Sequence, residues 1–378
     1  MTRGPRRIAP LAVTACLLGA TSCIGVHHAT TTTTTVVRQP PHLIALVTLI
    51  GAGSSAGSGT TVEAIDLSTH PATMRAIIVG QFPDAVAIAP KALTAYVTNY
   101  ASNTVTPINL VTGKVEKAID AGIGPAGIAV TSNGKFAYVT DAGTSPIGNT
   151  VTPINLAKHK TLAPITVGAG PQGIAITPDG STAYVANAGA VVTGQSGSVG
   201  NTVTPIDLAS KKAGAPIKVG NAPIAVAVSG DGATVFVTNA NSSSVTPIQA
   251  GVAGTPVPVN GSPQAVATTG ATAWVADTST QAGGNVLSSI SAGAVQVGTT
   301  VAVPKAPTSV AIAPGGATAW VVSSGAAELV PVDLASGKVV AGAIPLPGGP
   351  YAVALAEMPA ARAKVLTTTP VVKKKAVG

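Results

Sequence analysis

Acid–base catalysis needs titratable side chains within reach of one another. This chain of 378 residues has five histidines, His27, His28, His42, His70 and His159, and thirteen Asp plus Glu. Asp66, Asp207 and Asp333 recur at one position of a repeated stretch, and Asn109 and Asn155 hold that position in other copies. An acid that Asn can replace is an acceptor for turn N–H groups, so these are read as structural. Asp141 and Asp277 align with Asn99, Asn187 and Asn239 and are also read as turn caps. His27 and His28 are read as solvated. No Gly-rich phosphate loop, G-x-S-x-G elbow or H-E-x-x-H motif is present. The two cysteines, Cys16 and Cys23, both lie near the N-terminus. The rest of the chain therefore excludes cysteine-ligated metal, thiol catalysis and Cys-x-x-Cys-His haem attachment.

The elements that would position any site come from a repeat. Ala95-Tyr96-Val97-Thr98-Asn99, then Thr104 to Leu110, returns along most of the sequence. Later copies of the first part begin at Tyr138, Tyr184, Phe236, Trp274 and Trp320. Each unit opens on a proline: Pro83, Pro125, Pro171, Pro223, Pro263, Pro307 and Pro350, at spacings of 42, 46, 52, 40, 44 and 43 residues. That is the length of a four-stranded propeller blade. Within a unit, Val-, Ile- and Thr-rich runs read as strands. Pro178-Asp179-Gly180, Asn133-Gly134, Asp231-Gly232 and Gly315-Gly316 read as hairpin turns.

Six units are complete from Pro83 to Gly349, and the ends supply a seventh. Pro350 to Leu355 is a first strand with nothing after it. Ala45 to Thr48, Thr61 to Leu67 and Ala76 to Gly80 match second, third and fourth strands. The expectation is an all-β, seven-bladed β-propeller of four-stranded antiparallel blades, closed by a composite blade from both termini. An open solenoid would need terminal caps, and none is visible. Pro107, Pro153, Pro205, Pro247 and Pro331 fall inside third strands, where a missing N–H breaks a ladder bond. A bulge or a short fourth strand would accommodate them. Trp274 and Trp320 take the Tyr96 position and are read as core.

In such a ring the residue after each opening proline faces the channel mouth: Asp84, Ala126, Gln172, Ile224, Gln264, Thr308 and Tyr351. Asp84, Gln172, Gln264, Thr308 and Tyr351 are the binding candidates, and no residue is assigned as catalytic or metal-binding. None of the five histidines is placed at the mouth or in a first or second strand. The second-to-third-strand loops 142–148, 189–200 and 279–284 are long and would open on the same face, where recognition or tolerated insertion are the two readings.

The Tyr-Val-Thr-Asn core, with its upstream Pro-x-Gly and Pro-Asp-Gly elements, resembles the YVTN-type β-propeller repeat family, surface-layer-type propellers among them, over about residues 42 to 355. That family spans binding modules, surface-layer proteins and a few enzymes, so the resemblance carries fold rather than activity. It often has His at the mouth position, giving a ring able to bind metal or move protons. Here that ring has no His and one carboxylate.

Residues 1–22 read as a lipoprotein signal peptide: Arg3, Arg6 and Arg7, an apolar run from Ile8 to Ala20, then Ala20-Thr21-Ser22-Cys23. This resembles a bacterial lipobox with Cys23 as the lipidated residue. Val13 to Cys16 fits the local pattern but leaves too short an apolar core, and ordinary secretion is the alternative to lipidation. Residues 23–41 carry six consecutive threonines and read as a disordered tether, 42–355 as the propeller, and 356–378 as a basic disordered tail with Lys373 to Lys375.

Charged residues make up 9 % of the chain and aromatic residues 3 %. The net charge of +8 falls to +5 without Arg3, Arg6 and Arg7, and the remainder is scattered. Scattered charge with few stacking side chains argues against nucleic acid. The expectation is a non-catalytic, monomeric, cofactor-free lipoprotein on the extracytoplasmic face of the cell membrane, binding an envelope protein or cell-wall polymer. A propeller enzyme of lactonase or lyase type, or an accessory subunit of a periplasmic redox complex, is the alternative.

Overall fold

The computed structural model describes residues 40–51, 59–90, 93–143, 147–190, 198–279, 284–294 and 296–368. Residues 1–39, which include Cys16 and Cys23 and the segments expected to be signal peptide and tether, and residues 369–378 lie outside the described residues. Seven antiparallel sheets form a propeller. The composite blade is present: the sheet order runs from β3 (Thr73–Ile78) through β2 (Thr61–Asp66) and β1 (His42–Leu49) to the C-terminal strand Pro350–Met358. β1 and that strand pair from His42↔Met358 to Leu49↔Pro350.

The repeated Tyr-Val-Thr-Asn residues each have a task. The aromatic residue fills the space toward the next blade. Tyr96 packs with Val139 and Ile154, Tyr138 with Val185 and Ile206, and Phe236 with Val275 and Ile290. Thr98 Oγ1 accepts from Ala85 N–H at 2.9 Å and donates to the Ala126 carbonyl of the next blade at 2.7 Å. Thr140 repeats this with Gly127 N–H and the Gln172 carbonyl. Asn99 Nδ2 donates to Thr104 and Thr106 across the hairpin, while its Oδ1 accepts from Gly80 N–H. Asn99 and Asp141 are therefore buried clamps between strands and blades, not the turn caps expected from sequence. The turn-capping reading does hold for Asp66, Asp207, Asp333 and Asn109, which accept from Ser68, Ser210, Ser336 and Val111 N–H.

The third-strand prolines decide the shape of the outer strand. In the five blades with Pro107, Pro153, Pro205, Pro247 or Pro331, the outer strand is split into two pieces of two residues. Each of these prolines still accepts at its carbonyl, as from Glu116 N–H to Pro107 at 2.9 Å. It offers no N–H in return, so the outer strand leaves the ladder there. The two remaining blades have Ala64 and Ser289 at this position, and each has one unsplit outer strand, of six residues in the first and three in the second. Ser289 N–H donates to the Thr299 carbonyl at 2.8 Å, the bond a proline cannot make. Ala64→Pro should therefore cost about 1–3 kcal/mol in urea unfolding, because it orphans the facing carbonyl of Arg75. Pro331→Ala should cost far less; equal costs would contradict this account.

Two corrections concern the ends. Residues 356–368 are not a disordered tail. The last strand runs to Met358, and α1 (Ala360–Thr368) follows. Ala363 and Leu366 are fully buried beside Ile77 and Leu110, and Arg75 Nη1 donates to the Leu366 carbonyl at 3.2 Å. His42 does lie in a second strand, as the first residue of β1. Its Nδ1 is 2.7 Å from Asp66 Oδ2, at the end of the strand away from the mouth.

Candidate binding site at the channel mouth

The chain enters each first strand through a turn that aims the next residue into the pore. The residue before the opening proline has positive φ at Phe82, Gly124, Gly170, Ala222, Ala306 and Gly349. As the repeat predicts, all seven mouth residues line one cavity of about 310 Å³: Asp84, Ala126, Gln172, Ile224, Gln264, Thr308 and Tyr351. A second ring lies just inside, including Ala85, Gly127, Gly173, Ser309 and Ala352. Its small residues follow from close approach of neighbouring strands. A Cβ on Gly127 would stand 2.3 Å from the Gln172 carbonyl oxygen. The sequence signal was available, since the second residue after every opening proline is Ala, Gly or Ser.

Asp84 is the one charged side chain of this lining. Burial pushes its carboxyl up to about 7. The Asp84 charge, followed by burial, raises the Tyr351 phenol, which therefore stays protonated. Tyr351 is nonetheless 37 % exposed; protein surrounds it on the pore walls while its surface faces the channel. Thr308 Oγ1 donates to the Tyr351 carbonyl at 2.8 Å, fixing the two inner strands together. Gln264 Nε2 donates to Ser262 Oγ at 2.9 Å, which leaves its Oε1 as an acceptor. The Gln172 side chain makes no hydrogen bond among the described residues. The site thus offers a carboxyl, a phenol, two amides and a hydroxyl, with no Lys, Arg or His beside them among the described residues.

The described end of the loop 142–148 lies on the mouth face. Gly170 N–H, in the turn leading to Pro171, donates to the Gly148 carbonyl at 2.8 Å. Part of the span 189–200 is strand, because Gly189 pairs with Val199. Residues 144–146, 191–197 and 280–283 lie outside the described residues. A larger cleft of about 520 Å³ opens between the blade that begins at Pro307 and the composite blade, lined by Leu67, Met74, Trp320 and Ile344 among others. Trp274 is core, at 5 % exposure, whereas Trp320 is half-buried on the wall of this cleft. Among the described residues, no helix is long and apolar enough to cross a membrane.

No protein-family model and no curated protein matches the sequence. Solved structures share the fold. Periplasmic gluconolactonase of Pseudomonas aeruginosa aligns with TM-score 0.66 at 15 % identity, over 84 % of this chain and all of that one. A 6-phosphogluconolactonase-like protein of Bacteroides fragilis aligns with TM-score 0.67 at 12 % identity, over 83 % of this chain and 98 % of that one. Hydrazine synthase of Kuenenia stuttgartiensis aligns with TM-score 0.61 at 21 % identity, over 71 % and 88 %. At such identities the likeness establishes the seven-bladed propeller fold and nothing finer.

Proposed function

We propose that this chain is a non-catalytic binding propeller, held outside the cytoplasmic membrane through a lipid on Cys23, that takes an envelope protein or cell-wall polymer at its channel mouth. The carrying observation is the makeup of the mouth. Hydrogen-bonding groups surround a single carboxyl, and among the described residues no basic side chain joins them. Such a set suits an uncharged polyhydroxyl or amide-bearing group. It is poorly suited to a phosphorylated sugar, whose anionic charge would meet Asp84 with no cation to balance it.

One observation favours a second reading, hydrolysis of an unphosphorylated lactone. Asp84, titrating near 7 beside Tyr351, has the poise of a general base, and one structural neighbour is a gluconolactonase.

The two readings separate in one set of assays. Cell-wall polymer fragments are titrated against wild type, Asp84→Asn and Gln172→Ala by calorimetry, and gluconolactone opening is followed alongside. The proposal expects binding weakened about tenfold by either substitution, as for loss of a charge-assisted or buried hydrogen bond, and lactone opening at the spontaneous rate. Lactone turnover that Asp84→Asn abolishes would replace the proposal with the second reading.

A further inference from the structure

The outer edges of the blades are not treated alike. Exposed sheet edges invite pairing with another chain, and proteins blunt them with short strands, lysines and prolines. Five blades here end in two-residue pieces. Four of them carry lysine, at Lys114, Lys160, Lys212 with Lys218, and Lys338, and the fifth carries Pro258. The fifth blade, counting from Pro83, ends in three residues, Thr300–Ala302. β3 of the composite blade is the exception among the described residues, with six residues, Thr-Met-Arg-Ala-Ile-Ile, and nothing paired beyond it.

The ladder shows which groups of β3 are free. Val79 N–H donates to the Thr60 carbonyl, and Thr61 lies opposite Ile78. Antiparallel pairs alternate, so residues 75, 77 and 79 turn their backbone groups toward β2. Met74, Ala76 and Ile78 turn theirs outward. The side chains of these same three residues are exposed, Met74 at 43 % and Ile78 at 65 %. The one charge on the strand, Arg75, is held by the Leu366 carbonyl on the α1 side.

We infer that β3 is a self-association edge, on which a second copy of this chain pairs antiparallel about Ala76. The outward groups are self-complementary under a twofold axis through Ala76. Ala76 bonds to its own counterpart, and Met74 bonds to Ile78 of the other copy and the reverse, with two hydrogen bonds per pair. The small residue sits on the axis, and Met74 packs across from Ile78. A basic chain repels its own copy at the lysine-bearing edges, whereas the single charge of β3, Arg75, is turned to the α1 side. A contact made by one strand edge falls in the smallest class of specific interfaces, below about 1,200 Å². The dimer is therefore expected to be weak and reversible, where the sequence pointed to a monomer. This inference is independent of the mouth reading.

Sedimentation velocity across a concentration series tests it, with hydrogen exchange on the peptide covering 73–78. Wild type is expected to be monomeric near ~1 µM and largely dimeric near ~200 µM, the range of weak interfaces, with exchange of 73–78 slowing as dimer forms. Ala76→Lys should raise the dissociation constant about tenfold or more without lowering Tm, since its side chain points to solvent. Met74→Lys is the second variant should Ala76→Lys lower Tm. Val252→Lys, on another exposed outer strand (70 %), should leave the dimer intact. A wild type that stays monomeric throughout overturns the inference. So does a dimer that Ala76→Lys and Met74→Lys leave unchanged, or one that Val252→Lys disrupts equally.

Discussion

Asp277→Asn is expected to stabilise the propeller at neutral and alkaline pH, by about 2–4 kcal/mol at pH 8, and to do nearly nothing at pH 4. The reason lies in a comparison of two aspartates at one repeat position. Asp141 accepts from Gly122 N–H at 3.1 Å, Thr150 Oγ1 at 2.7 Å and Thr152 Oγ1 at 2.8 Å. Opposite Asp277 stand Val286 and, two residues on, Ser288, where the earlier blade has Thr150 and Thr152. Asn260 replaces Gly122. Asp277 is fully buried, and among the described residues neither oxygen makes a hydrogen bond of good geometry, the Ser288 hydroxyl being its nearby but poorly aligned donor. Burial pushes its carboxyl from 3.8 to about 7, and the Ser288 hydroxyl offsets only part of this.

The sign follows from the proton count. Between 3.8 and 7 the folded carboxyl keeps its proton and the unfolded one has lost it. The unfolded state then binds fewer protons, so stability falls as pH rises through this window and levels off above it. Asp84, raised for the same reason, adds a smaller fall because the pore leaves it partly exposed. The amide introduced by Asp277→Asn has no proton to lose, and it can donate to Ser288, as Asn99 does to Thr106. Thermal unfolding of wild type and Asp277→Asn between pH 4 and 8 checks this. The variant should unfold about 5 °C higher at pH 8, and the two should converge at pH 4. Parallel curves would show that Asp277 is already ionised in the fold.

That contrast also marks how far the sequence could be read. Blade count, strand order, the composite blade and the mouth ring all follow from the register of the opening prolines, because a repeat fixes backbone position independently of partners. What a side chain touches depends on the residue facing it across the sheet. Asp141 and Asp277 look equivalent in the repeat and differ through what surrounds them, Thr150, Thr152 and Gly122 in one blade and Val286, Ser288 and Asn260 in the other. The His42–Asp66 pair needs the pairing of β1 with β2, which aligns Ile44 with Asp66. α1 was invisible for another reason. Its nine residues, Ala360–Thr368, carry no capping signal and no apolar stripe, and Ala363 and Leu366 are buried because blades seven and one leave a space there. Local propensity is silent about such a helix.

Removing residues 350–378 is expected to abolish cooperative folding, although it takes away one strand and one helix. In the other six blades the first strand is joined to the second by a hairpin. In the composite blade it comes from the far end of the chain, and it alone closes the ring. Its loss leaves the inward backbone groups of β1 without partners from His42 to Leu49. It also removes Met358 at 1 % exposure, Ala356 at 7 % and Val353 at 8 %, together with the Ala363 and Leu366 contacts to Ile77 and Leu110. Truncating one buried Met to Ala costs about 2–5 kcal/mol, against a total stability of about 5–15 kcal/mol. Adding Leu366, Val353 and the backbone bonds of the strand, at about 1 kcal/mol each, brings the loss up to about that total. Strand order rather than chain end should be what matters. A permutant that begins at Pro350, joins Met358 to His42 through a short turn and ends at Gly349 restores the missing pairing. His42 already lies opposite Met358, and the new connection is a hairpin like those of the other blades. Circular dichroism and urea unfolding should show the deletion without a cooperative transition and the permutant with one, at lower midpoint than wild type because α1 is missing. If the deletion unfolds cooperatively, six blades suffice and the closure argument fails. If the permutant does not fold, α1 rather than the C-terminal strand is what holds the ring shut.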